Sequence, residues 1–298
     1  MTRCRVVGGK APIRSDGTGM SITVFMLAVL AGSIAAGCLG ALTGLGGGVV
    51  LIPLLVLVFH TDLRYAIGAS LVAVIATSSG AAAAFVREGF TNVRVAMLLE
   101  VATTAGALAG AALAAYLSAP VIMYIFIGVL FWSAFSALRE PRPLPPASAA
   151  DDLGARLGLA GTYPTGDGLR SYGVRRVPAG FAVMLGAGIL SALVGVGSGV
   201  VKVVAMDRLM RLPFKVSTTT SNFMIGVTAA ASAGVYFHRG QIDPVLCGPV
   251  ALGALIGSLL GARVLVKART PALRIIFAIV VVIMGVQLLV RTLSGNLQ

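Results

Sequence analysis

Two glycine clusters offer the chain's most concentrated opportunity for chemistry. Gly44-Leu45-Gly46-Gly47-Gly48 and Gly195-Val196-Gly197-Ser198-Gly199 each interrupt an apolar run. The apolar stretch after each cluster, 49–59 and 200–210, is only 11 residues long. As a helix it rises roughly 16 Å, about half the thickness of a bilayer's hydrocarbon core. Each cluster therefore reads as the N-terminus of a half-helix near mid-membrane. Free backbone N–H groups there carry partial positive charge and suit an anion. Glycine permits the unwound dihedrals and lets a ligand come close to the backbone. The candidate binding residues are Gly44, Gly46, Gly47, Gly48, Gly195, Gly197, Ser198 and Gly199. Helix packing is the alternative, because Gly40, Gly44 and Gly48, like Ser191, Gly195 and Gly199, form stripes of small residues four apart. Packing is the expected role of Gly253, Gly257 and Gly261, and of Gly106 and Gly110.

A few polar groups accompany the clusters. Lys202 follows Gly199 by three residues, and a lone charge inside a membrane segment is a functional candidate by default. Its alternatives are snorkelling or pairing with Asp207. Ser70 in the first half, and Ser221 and Asn222 in the second, supply donors suited to an oxyanion. Serine and threonine also bond their own helix carbonyls, so an ordinary structural role stays open. Glu100 is the only acid within its apolar segment and is a candidate proton carrier, with a shallow interfacial position as the alternative. Other chemistries are poorly served. Cys4, Cys38 and Cys247 form no spaced pair, and His60 and His238 each end an apolar run, so no metal site or disulfide framework is indicated. No HExxH, paired aspartates or Ser/His arrangement points to an enzyme. The glycine clusters lack the strand–turn–helix setting of a dinucleotide fingerprint, and no cofactor is expected.

The elements that must hold these residues are membrane helices. Of 298 residues 57% are hydrophobic and 11% charged, less than half the charge of about 25% usual in soluble domains. Segments 22–59 and 101–138 each run 38 residues without Asp, Glu, Lys or Arg. About 20 apolar residues cross a bilayer, so the chain is a polytopic all-α membrane protein with the lipid bilayer as its first partner. The net charge of +13 sits between apolar spans rather than on one face. That distribution belongs to membrane loops and excludes a nucleic-acid partner.

The chain also repeats itself. An offset of 151 aligns Gly37 with Gly188 and runs without a gap for 93 positions, 21 of them identical. Gly44, Gly46 and Gly48 fall on Gly195, Gly197 and Gly199, Ser70 on Ser221, and Gly89 on Gly240. The expected organisation is a polar, dispensable tail over 1–19, a first repeat over 20–138, a linker over 139–176 and a second repeat over 177–298. The linker, rich in proline and mixed charge, is expected to be poorly structured. Each repeat is a long apolar stretch broken by its glycine cluster, then three helices, near 65–86, 93–117 and 121–138 and near 216–237, 244–266 and 273–292. Loop charges differ between equivalents. Arg64 stands against Arg208, Arg211 and Lys215, while the turn at Pro120 has none against Arg263, Lys267, Arg269 and Arg274. The bias reverses near Gly89, where Arg87 and Arg94 oppose Arg239. By the positive-inside rule equivalent loops face opposite sides, giving inverted-topology repeats with a cytoplasmic linker.

Gly44 to Gly48 with Pro53, then Arg64-x-Ala66-x-Gly68-x-Ser70, is similar to the first-half signature of the TauE/SafE sulfite exporter family, also called the toluene-sulfonate uptake permease family. The second half resembles it through Gly195 to Lys202, then Pro213, Lys215 and Thr218 to Gly226, with Ser198 replacing a common third glycine and Val204 standing where the first half has Pro53. The resemblance implies a multi-pass carrier in a prokaryotic plasma membrane for small anions such as sulfite, sulfoacetate or other sulfonates. The resulting expectation is a secondary transporter working by alternating access, with a proton as possible coupling ion. A passive anion channel of the same architecture, a carrier of another small organic anion, and a membrane scaffold are the rivals. No pattern specifies an oligomer.

Overall fold

A computed structural model of the chain describes residues 22–43, 47–87, 89–138, 152–165, 168–267 and 270–294. The tail over 1–19 and the residues Gly44, Leu45 and Gly46 lie outside this set. The first half of the chain holds α1 (Ile22–Thr43), α2 (Gly48–Leu57), α3 (Leu63–Arg87), α4 (Val93–Leu113) and α5 (Ala119–Leu138). The second holds α7 (Val177–Val194), α8 (Gly199–Val204) continuing into a π-helical turn (Ala205–Leu209), α9 (Phe214–His238), α10 (Pro244–Lys267) and α11 (Thr270–Leu293). The half-helices expected after the two glycine clusters are thus α2 and α8 with its π turn.

Among the described residues, six helices are long and apolar enough to span a bilayer: α1, α3, α4, α5, α7 and α10. The described apolar stretch of α11, Ala278–Leu293, is shorter, as is α2. Helix α9 has 25 residues, a rise of roughly 37 Å, yet its polar start through Thr218, Thr219, Thr220, Ser221 and Asn222 keeps it out of that set. Those side chains turn inward: Thr219, Thr220, Ser221 and Asn222 are all buried. The exposed face is instead apolar in rows such as Ile275, Ile279, Ile283 and Val290 on α11.

Local starts and stops recur at the 151-residue offset. Asn92 Oδ1 accepts the Val95 N–H at 3.0 Å at the start of α4, and Asp243 Oδ1 accepts the Val245 N–H at 2.8 Å at the start of α10. Both half-helices end on a left-handed residue, His60 at φ 50° and Arg211 at φ 59°. The closing bonds correspond too, with Thr61 N–H to Leu55 O and Leu212 N–H to Met206 O, both 3.0 Å. These are Schellman-type closures, in which the residue after the left-handed one reaches back to satisfy an orphan carbonyl.

Between the two halves of the chain the helices pair reciprocally. Helix α1 packs on α10 and α7 on α4; α3 touches α9 and α10, while α9 touches α3 and α4; α5 lies along α11. The glycine stripes make the first two pairings possible. A Cβ on Gly106 would stand 2.1 Å from Leu185 O, and on Gly110 2.4 Å from Ile189 O. A Cβ on Gly257 would stand 2.2 Å from Ile34 O, and on Gly261 2.7 Å from Cys38 O. The second set is the first with the two sides exchanged, the glycines 151 residues later and their partners 151 residues earlier. Backbones this close gain dispersion along the whole crossing, which is the main source of helix association in lipid. The packing role expected for these glycines is therefore seen.

The segment joining the repeats departs from expectation. Its described part holds a short helix α6 (Asp152–Arg156) and a hairpin of β1 (Gly161–Thr165) and β2 (Gly168–Tyr172). Leu159, Tyr163, Tyr172 and Val174 are buried in one cluster with Val95, Leu99, Met206 and Met210. Asn92 Nδ2 donates to Leu159 O and to Tyr172 Oη, both at 2.9 Å, and Arg94 Nη1 donates to Gly158 O at 3.0 Å. Burial pushes the Tyr172 phenol above its ordinary pKa, with the Asn92 bond acting in the opposite sense. Over these residues the linker is a docked hairpin rather than an unstructured tether. Its prolines and charges hid four apolar anchors spaced to meet one platform.

Candidate functional site

The two glycine elements meet at the centre of the fold. Gly47 precedes α2 and Gly48 opens it, both buried. A Cβ on Gly48 would lie 3.0 Å from Gly195 O, 2.5 Å from Ser70 Oγ and 3.1 Å from Val74 Cγ2. Gly195 ends α7 at φ 73°, and Gly197 follows at φ 76°. At both, a side chain would adopt a backbone conformation that only glycine takes without cost. Ser198 carries the same left-handed geometry, φ 47°, without glycine's freedom. A Cβ on Gly197 would meet Val74 Cγ1 at 3.2 Å, so Val74 of α3 lies against both elements. Gly44 and Gly46 fall outside the described residues.

The serines beside these elements take structural bonds. Ser70 Oγ donates to Gly195 O at 2.7 Å, tying α3 to the glycine element that follows α7. Ser221 Oγ donates to Gly199 O at 3.3 Å. Two other side chains remain uncommitted. Ser198 Oγ is buried without a hydrogen-bond partner, and Asn222, 7% exposed, takes none among the described residues. In the second element the Lys202 N–H to Ser198 O bond, 3.1 Å, is the first helical one. The N–H groups of Gly199, Val200 and Val201 precede it, in the position where a half-helix leaves donors free.

Lys202 is fully buried, which rules out snorkelling. Its Nζ donates to Thr228 Oγ1 of α9 at 2.5 Å. The Thr228 hydroxyl donates in turn to Glu100 Oε1 of α4 at 2.7 Å, where Thr104 Oγ1 also donates at 3.2 Å. Glu100 is 8% exposed, so it lies inside the protein rather than at the interface, and it acts electrostatically on the Lys202 ammonium. Lys202's charge partner is therefore Glu100 rather than Asp207. Burying two charges costs several kcal/mol per ion, and the bridging hydroxyl offsets part of that. One acceptor is left over, since Glu100 Oε2 is buried with no partner among the described residues.

The two charged ends of this chain of bonds stand out in the sequence, and its middle, Thr228, does not. Thr228 matches Thr77 at the 151-residue offset, and that identity was the available signal. The match stops there: Thr77 bonds its own helix at Val74 O, and Leu51 and Ala251 stand where the second and first repeats place Lys202 and Glu100. The charged group is thus one-sided in an otherwise reciprocal fold. The other threonines of α9 bind protein: Thr220 Oγ1 accepts the Asn92 N–H at 3.1 Å, and Thr219 Oγ1 donates to Phe90 O at 3.1 Å.

The family described as Sulfite exporter TauE/SafE matches residues 29–288. Among curated proteins, the "Probable membrane transporter protein YunE" of Bacillus subtilis (strain 168) is 28% identical over 272 residues, covering 89% of this chain and 97% of the relative. The "Probable membrane transporter protein YdhB" of the same organism is 27% identical over 243 residues, covering 81% of this chain and 87% of the relative. No solved structure matches the chain.

Proposed function

The chain belongs to the sulfite exporter TauE/SafE family and is a multi-pass membrane transporter, and from that premise we propose that it carries small sulfur-containing anions, sulfite or sulfonates, across a prokaryotic plasma membrane by alternating access. The observation that carries the reading is Lys202, a fully buried cation one turn inside the half-helix that starts at Gly199. An oxyanion needs one compensating charge and several donors around its oxygens. Lys202 supplies the charge. The Ser198 hydroxyl, which has no partner among the described residues, supplies a donor, with the buried Asn222 amide and the N–H groups of Gly199, Val200 and Val201 at the start of the half-helix beside it. Gly48, with Gly47 before it, brings the opposing half-helix against Gly195, and Gly44 and Gly46 complete that element's candidate set by sequence. Ser70 and Ser221 act one step back, holding the carbonyls of Gly195 and Gly199.

Membrane-embedded carboxylates that would hold a cation instead are scarce, Glu100 being the buried one and Asp207 lying in the π turn. Glu100 is the candidate for carrying a coupled proton. The reciprocal pairing of α1 with α10 and α4 with α7 supports two inverted repeats rocking about the meeting point of the half-helices, with the hairpin segment on the cytoplasmic side. A thermal-shift screen of the purified chain against sulfite, thiosulfate, sulfonates and carboxylates tests the reading. Stabilisation by sulfite or a sulfonate that exceeds that by carboxylates of equal charge is the expected result. Stabilisation by carboxylates alone would replace the substrate class.

A further inference from the structure

Lys202 and Glu100 are the buried charged side chains among the described residues, Thr228 bridges them, and the Glu100 oxygen without a partner among those residues is the cluster's unexplained atom. We propose that this cluster couples one proton to each anion, with Glu100 Oε2 taking the proton as Lys202 takes the anion, so that both move in the same direction. This deepens the reading above and rests on Lys202 as the anion's charge.

The argument is a charge balance. In the unloaded state the Glu100 carboxylate and Lys202 ammonium neutralise each other through the Thr228 hydroxyl. An anion reaching Lys202 alone would leave a net, uncompensated negative charge buried among three helices, which a low-dielectric interior strongly disfavours. A proton added to Oε2 turns the carboxylate into a neutral acid, and the ammonium is then balanced by the incoming anion. The buried site stays neutral in both states, one proton and one monovalent anion having entered together. The Oε2 atom can take that proton because no described group donates to it, whereas Oε1 already receives hydroxyls from Thr228 and Thr104. Thr228 is the positioning residue: its single hydroxyl accepts from Lys202 and donates to Glu100, so the two charges stay one atom apart.

Other charges do not compete for this role. Helix α7, packed along α4, carries no titratable side chain. Helix α9 has Lys215 at its start and His238 at its end, with Lys215 Nζ held 4.1 Å over the Phe90 ring. Asp207 and Arg208 lie in the π turn after α8, and Arg94, in the first turn of α4, bonds Gly158 O in the hairpin segment. The unloaded return step depends on the same pairing. Without Glu100's charge, Lys202 would have to cross alone.

The test uses the full chain in proteoliposomes with the membrane potential clamped, methanesulfonate as probe and an inward proton gradient of about one pH unit. Wild type is expected to accumulate the probe about tenfold and to acidify the lumen by one proton per anion. Glu100→Gln mimics the protonated acid. It still exchanges internal for external sulfonate, but gradient-driven accumulation falls to a ratio of about one, because the unloaded site can no longer return neutral. Lys202→Met loses exchange and accumulation together. Wild-type flux without lumenal acidification, proton-driven accumulation surviving in Glu100→Gln, or loss of exchange in that variant would each overturn the coupling proposal. Those outcomes leave the anion reading standing; failure of wild type to move methanesulfonate, sulfite or thiosulfate in either mode would remove both.

Discussion

The same substitution, glycine to alanine, should have opposite effects at two helix-interior positions of this fold. At Gly106 the new Cβ would lie 2.1 Å from Leu185 O, 3.0 Å from Leu185 C and 3.2 Å from Ile189 N, all backbone atoms of α7. To reach an ordinary 3.4 Å contact the helices must part by about 1.3 Å. Parting them also loosens Gly110 against Ile189 O and Gly188 against Thr103 O on the same crossing. Overpacking of this kind costs about 1–3 kcal/mol, against about 0.5–1 kcal/mol gained from alanine's better helix propensity. The net effect of Gly106→Ala is destabilising. At Gly128, in the middle of α5, a Cβ would meet nothing within 4 Å, so Gly128→Ala keeps only the propensity gain. Thermal unfolding in detergent, followed by the loss of the monodisperse size-exclusion peak, reads both. Gly106→Ala should melt earlier than wild type and Gly128→Ala at the same temperature or later. Gly257→Ala, whose Cβ would lie 2.2 Å from Ile34 O, should match Gly106→Ala. Equal shifts at Gly106 and Gly128, or a neutral Gly106→Ala, would refute the close-packed crossing.

Further outcomes follow from single contacts. Ser198→Gly removes a side chain held at φ 47° and should raise the melting temperature, by about 1 kcal/mol of relieved backbone strain; a lower value would mean that the unpartnered hydroxyl holds the element in place. Tyr172→Phe deprives Asn92 Nδ2 of one acceptor while Leu159 O remains, costing about 0.5–1.5 kcal/mol locally and speeding limited proteolysis between 157 and 172 without changing the helical signal. Gly48→Ala drives a Cβ towards Ser70 Oγ and Gly195 O, and should reduce anion flux in proteoliposomes at least tenfold while membrane insertion persists; normal flux would separate the glycine elements from transport.

How much of this was readable beforehand depended on whether a feature was local or relational. The half-helices were legible because the glycines break apolar runs at a set distance from the next polar turn, twice. The packing stripes were legible because four-residue spacing of small residues has few other uses in a membrane helix. Lys202 and Glu100 stood out because charges are expensive in their segments. Their connection did not, since it depends on α4 meeting α9, and Thr228 on its own looks like any helical threonine, with Met224 O at 3.0 Å as the alternative acceptor for the hydroxyl that Glu100 takes at 2.7 Å. Ser70 and Ser221 read in sequence as donors for a ligand, but their hydroxyls face the carbonyls of Gly195 and Gly199, a pairing that no sequence pattern displays. The hairpin was hidden for a similar reason: Tyr163 and Tyr172 become a core only against Val95, Leu99 and Met206, residues far away in sequence.

Saturation binding of a radiolabelled sulfonate to the purified chain, compared between wild type and Lys202→Met, bears most directly on the anion site. A lost charge-assisted contact is worth about 1.5–3 kcal/mol, so the account predicts one saturable site per chain and affinity at least tenfold weaker in the variant. Binding of equal strength by a folded Lys202→Met protein would contradict it.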